Sequence, residues 1–155
     1  MLRPLALALA LVTTAASAQT VRSADVVEWR VRAERGVPGG ETRIVLDAEI
    51  GPGWRLYAAD SPVGRPLAVD LDALPAGVEP LALRQGTPQR GYDEGFESAY
   101  TYFAERARIV RPLRIGGGAA AGEHEVTGAV RFAVCNDSVC LAPSRLAFRV
   151  PLVVE

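Results

Sequence analysis

The sequence predicts an all-β fold, an antiparallel β-sandwich of immunoglobulin-like type. Apolar and polar residues alternate with period two in stretch after stretch. These stretches recur roughly every 8–12 residues, broken by turns that use the chain's 15 glycines and 11 prolines. No amphipathic helical pattern of useful length interrupts them. A β-barrel is the alternative closure.

Taken in order, residues 19–25 read as a flexible lead-in and 26–155 as the sandwich domain. Residues 26–34 set Val27, Trp29, Val31 and Ala33 against Glu28, Arg30, Arg32 and Glu34, the signature of a half-buried strand. Gly36-Val-Pro-Gly-Gly40 turns the chain, and 42–50 repeats the alternation. Gly51-Pro-Gly53 ends it; Trp54-Arg-Leu-Tyr57 is a short aromatic strand. Strands are expected over 67–71, 79–84, 99–103, 107–115, 125–135 and 146–154, about eight or nine in all. Pro112 marks its strand as an edge or a bulge. Residues 85–97 read as a long loop of Gly, Pro and charge, a length that is often functional in a compact domain.

The first eighteen residues are a separate object. A basic start (Met1-Leu-Arg3), an apolar Leu/Ala run over 5–12 and a small-residue site, Ala16-Ser17-Ala18, have the layout of a secretory signal peptide. The run is short of the about 20 residues a membrane span needs. The mature chain is therefore expected to be exported, in a bacterium to the periplasm, where two nearby cysteines would be oxidised. Net charge is −1, all 17 basic residues are arginine, and they are interspersed with acids, so neither nucleic acid nor an anionic membrane is indicated as a partner.

Chemistry concentrates in Cys135-Asn-Asp-Ser-Val-Cys140, which holds the only two cysteines. Asn136-Asp137 is turn-forming, and strand-like runs flank the pair, so a hairpin tip is expected. A disulfide closing about six residues would contribute only ~2 kcal/mol by chain entropy, against ~4–5 for a loop of about a hundred. That favours a redox pair, yet the spacing also suits a structural clip, and both readings stand at this point. His124, the one histidine, lies beside Glu123 and Glu125 after the glycine turn and reads as a surface residue. No zinc spacing, phosphate-cradling glycine motif or nucleophile elbow is present, and no cofactor is expected. A thiolate at the pair would be opposed by Asp137 and favoured by Arg131 or Arg145 if either is near.

Residues 126–143, followed by Arg145-Leu-Ala-Phe-Arg-Val, resemble the amino-terminal periplasmic domain of the thiol:disulfide interchange reductase DsbD. Gly53-Trp-Arg-Leu-Tyr57 is similar to that family's Gly-aromatic-x-Leu-Tyr stretch, and Tyr92-Asp-Glu-Gly-Phe96 to the acidic-aromatic cap loop that shields its cysteines. The resemblance spans nearly all of 26–154. It implies an immunoglobulin-like sandwich that passes electrons between thioredoxin-like periplasmic proteins, in routes such as cytochrome c maturation. By position Cys140 would form the mixed disulfide and Cys135 would resolve it. Phe96 would be the cap, with Tyr92, Asp93 and Glu94 beside it, and Tyr57 would line the site. Arg55 stands where an aromatic is common, and Ala142 where a second proline is common. The family's full-length protein continues into a membrane domain and a thioredoxin-like domain. This sequence stops at Glu155, so the resemblance implies a stand-alone version supplied by a separate membrane-embedded donor. The competing expectation is an exported, non-catalytic binding or assembly module with a structural disulfide.

Overall fold

A computed structural model describes residues 20–95 and 97–155; the leader over 1–18 and Phe96 lie outside the described residues. The elements follow in order: α1 (Ser23–Val26), β1 (Val27–Ala33), β2 (Glu41–Ile50), β3 (Arg55–Tyr57), β4 (Ala68–Ala73), β5 (Val78–Pro80), β6 (Arg84–Gln85), β7 (Gln89–Asp93), β8 (Ser98–Phe103), β9 (Arg106–Ile115), β10 (Gly122–Phe132), β11 (Val134–Cys135) and β12 (Ser144–Val154).

Alternation decides the first sheet. Antiparallel pairing of β1 with β2 sets Trp29 opposite Ala48 and Val31 opposite Leu46, so the apolar sets of both strands share one face. The sheet runs β1-β2-β9-β5, with β6 also on β9. A second sheet is β12-β10-β4 and a third β11-β3-β8-β7. The chain passes from second to third at Ala133, between β10 and β11. Ile44, Leu46 and Ile109 from the first sheet meet Val126, Val130 and Leu152 from the second and Leu56, Phe103 and Val134 from the third in one core. The fold is thus the antiparallel, immunoglobulin-like sandwich that the alternation predicts. Trp29 meets Phe132 edge to face at 5.4 Å, tying β1 to β10.

Three local expectations give way. Of the two readings of Pro112, the edge gives way, since β9 pairs with β2 on one side and with β5 and β6 on the other, while the pairing beside it slips by one residue between Pro80–Leu113 and Arg84–Val110. The Pro112 carbonyl accepts from Leu81 N–H at 2.8 Å, in the gap between β5 and β6. The flanking strand is broken where the proline lacks a donor, so the expected strand over 79–84 is two short pieces. The long loop over 85–97 contains β7, hairpinned to β8 with Gly91 opposite Tyr100. Residues 23–25, within the stretch read as a lead-in, belong to α1, and Ser23 is fully buried.

The cysteine hairpin and its aromatic floor

Val134 and Leu141 begin the hairpin: Leu141 N–H donates to Val134 O at 2.9 Å. One step outward, Asn136 N–H donates to Val139 O at 2.9 Å. Cys135 and Cys140 face each other between these two bonds, as an isolated antiparallel bridge with Cα atoms 4.0 Å apart. Such a non-hydrogen-bonded pair brings side chains closest, so two cysteines there can bond across the strands. They do, with an S–S distance of 2.03 Å. Asn136 supports the tip: its Oδ1 accepts from Ser138 N–H and Val139 N–H, both at 2.8 Å. This is the Asx-type turn for which asparagine is suited.

The two sulfurs are not equivalent. Cys140 is exposed and Cys135 is half-buried. The Tyr57 hydroxyl donates to Cys135 Sγ at 3.4 Å. Tyr57 itself is buried, its ring lying under Gly64. A Cβ at position 64 would come within 2.5 Å of the Tyr57 ring, and the backbone there has φ +80°, so glycine satisfies both demands. Burial, then the Asp93 carboxylate and Tyr100, push the Tyr57 phenol above its ordinary value, so it stays a protonated donor.

Register builds a floor beside the hairpin. Cys135 pairs with Arg55, Tyr57 with Tyr102, and Tyr100 with Gly91. With side chains alternating, these residues and Asp93 share the outer face of the third sheet. Tyr57 meets Tyr100 edge to face at 5.8 Å, and Tyr100 meets Tyr102 at 5.4 Å. Gly91 leaves the space that the Tyr100 ring occupies. The Arg55 guanidinium lies 5.6 Å from the centre of the Tyr102 ring and pairs with Asp137 at 2.6 Å. That hydrogen bond holds Arg55 above its ordinary value and binds the hairpin tip to β3.

Of the residues singled out in the sequence, Cys135, Cys140, Tyr57, Arg55 and Asp93 come together. Tyr92, 65% exposed, lies on the face opposite Asp93, and Glu94 is exposed in the β7–β8 turn. Phe96 lies outside the described residues. Arg131 and Arg145, considered as cations for a thiolate, pair instead with Asp70 at 2.6 Å and Asp72 at 3.1 Å. The cation in register with Cys135 is Arg55, and its partner is Asp137. His124 sits within β10, its Nε2 2.7 Å from Ala120 O. Sequence reasoning missed Tyr100 and Tyr102, although their period-two spacing in a strand was a usable signal. It also missed Ser23, for which no local signal exists. Among the described residues no group of three His, Cys, Asp or Glu side chains is placed to hold a metal ion.

Fold and site together define a class: an immunoglobulin-like sandwich with an accessible hairpin disulfide at the end of one sheet. The family model described as "Thiol:disulfide interchange protein DsbD, N-terminal" matches residues 23–151, and the chain belongs to that family. It is a thiol–disulfide exchange domain of the DsbD amino-terminal type. The reduced amino-terminal domain of Neisseria meningitidis DsbD is similar in structure, with TM-score 0.57 and 15% identity over 83% of this chain and 87% of that one. The amino-terminal periplasmic domain of ScsB from Proteus mirabilis gives TM-score 0.57 and 16% identity over 84% of this chain and 48% of that one. No curated protein matches the chain in sequence.

Proposed function

We propose that this domain carries two electrons between thioredoxin-like proteins of the periplasm through Cys135 and Cys140. A donor thiolate attacks the exposed Cys140 Sγ, the Cys135–Cys140 bond breaks, and Cys135 leaves as a thiolate that takes a proton. The donor's second thiol loses its proton and attacks the mixed disulfide, so the donor becomes a disulfide and this chain a dithiol. Delivery runs in reverse order: Cys140 attacks the acceptor disulfide, and Cys135 closes on Cys140 to release the reduced acceptor. The observation that carries this reading is the asymmetry of the sulfurs, one open to solvent and the other half-buried under a hydroxyl donor. Tyr57 stabilises the charge on the departing Cys135, and Arg55 neutralises the carboxylate two residues beyond it. Export is supported by the signal-peptide-like sequence pattern of residues 1–18 and by the periplasmic description of the ScsB domain. We assign the electron supply to a membrane-embedded donor. Among the described residues no helix is long and apolar enough to cross a membrane.

The test is trapping. A Cys135→Ala protein mixed with a thioredoxin-like partner should accumulate a mixed disulfide through Cys140, and Cys140→Ala should accumulate little. Equal trapping by both variants would overturn the assigned order. A reduction potential below about −300 mV would assign the bond a structural role instead.

A further inference from the structure

The two legs of the cysteine hairpin are joined by something other than their own disulfide. Ser23, from α1, is 0% exposed and lies between them. Its hydroxyl donates to Ala142 O at 2.8 Å, two residues after Cys140. The same oxygen accepts from Val134 N–H at 3.3 Å, one residue before Cys135. The Ser23 backbone N–H reaches the Ala142 carbonyl at 3.4 Å as well. One buried hydroxyl thus uses both its donor and its acceptor capacity, one on each leg. A serine needed only to fasten α1 would be satisfied by either bond.

We infer that Ser23 is a positioning residue for the redox reaction: it holds the roots of the hairpin together when the disulfide is open and so helps set the balance between dithiol and disulfide. This rests on the exchange reading of the pair. With the disulfide closed, the covalent bond and the serine restrain the same two legs, and each is partly redundant. Once the bond opens, the restraint falls to Ser23 and to the short ladder bonds at Leu141 and Asn136. Removing the hydroxyl therefore costs the dithiol state more than the disulfide state. It also strands the buried Val134 donor, a cost that falls on folding in both redox states and leaves the difference in restraint to set the sign. The sign follows: without Ser23 the disulfide becomes harder to reduce.

The measurement is equilibrium with glutathione, in which two glutathione thiols become one glutathione disulfide as the Cys135–Cys140 bond becomes two thiols. No thioredoxin-like partner is needed, so a failed carrier assay would leave this result standing. Ser23→Ala should shift the equilibrium toward the disulfide by roughly fivefold, the weight of one ordinary hydrogen bond. Ser144→Ala is the structural control: Ser144 Oγ accepts from Ala24 N–H at 3.0 Å and fastens α1 without spanning the legs. It should leave the equilibrium unmoved. In the unsubstituted protein, the Val134 amide should keep its protection from hydrogen exchange on reduction. An unshifted equilibrium in Ser23→Ala, equal loss of folding in both redox states, or loss of Val134 protection on reduction would each overturn the inference.

Discussion

Two outer faces of this sandwich are built on the same alternation and finished in opposite ways. On the first sheet, Arg32 and Arg108 both bind Asp47 at 2.6 Å, Arg30 binds Glu49 at 3.3 Å, and Arg43 binds Glu34 at 2.7 Å. On the third sheet the matching positions hold Tyr57, Tyr100 and Tyr102, with the Arg55–Asp137 ion pair and the disulfide beside them. Exposed ion pairs are each worth about 0–1 kcal/mol, so the first face is a solvated surface whose members can be exchanged singly. The aromatic face depends on fit: Gly64 and Gly91 exist where rings press against backbone. Among the described residues, a sulfur meets a hydroxyl there, Cys135 Sγ with Tyr57. A period-two pattern therefore locates a face, and the residues that finish it decide whether water or chemistry uses it.

The contrast can be broken most severely at position 64. Gly64→Ala should destabilise the protein by ~1–3 kcal/mol, since a Cβ meets the Tyr57 ring and the backbone has positive φ. Urea midpoints at constant slope would show this, and the disulfide should be reduced more slowly as Tyr57 shifts. Tyr57→Phe is a finer cut. Losing one donor to the leaving sulfur should slow attack at Cys140 about fivefold. Stopped-flow reduction by a thioredoxin-like donor would measure that, with stability nearly kept because the ring remains.

On the charged face, the Arg108 hydrogen bond chiefly, aided by Arg32 and opposed by partial burial, holds the Asp47 carboxyl below its ordinary 3.8. A depressed folded value stabilises the protein above the unfolded value, and this contribution is lost as pH falls through the folded one. Stability should drop on acidification below about pH 4. Asp47→Asn should flatten that limb of a urea-midpoint profile without abolishing it, because Asp60 and Asp70 are lowered too. The smallest effect belongs to Arg30→Ala, at most about 0.5 kcal/mol and no change in reduction rate. A large effect there would erase the distinction between the two faces.

How much of this was legible follows from the same physics. Strands β1, β2, β9, β10 and β12 each bury one face across the core, so their alternation shows in the sequence. Strand β7 was hidden because Gly91 is there to make room for Tyr100 and Tyr92, on the opposite face, is exposed, leaving no apolar periodicity. Cys135 and Cys140 announced their hairpin through Asn136-Asp137, whose turn preference is local. The resemblance pointed to Tyr57 and Arg55, but the long-range bonds that hold the hairpin were not legible. Asp137 is 82 residues from Arg55, and Ser23 is 111 residues from Val134. Hydrogen bonds of that span leave no periodic trace, and only the fold brings them together.

The most direct test of the central claim is the redox state of Cys135 and Cys140 in living cells, read by acid quenching and gel-shift thiol alkylation. The account predicts a dithiol fraction that shrinks when the membrane-embedded electron supply is removed. A wholly oxidised protein, whether or not that supply is present, would contradict it.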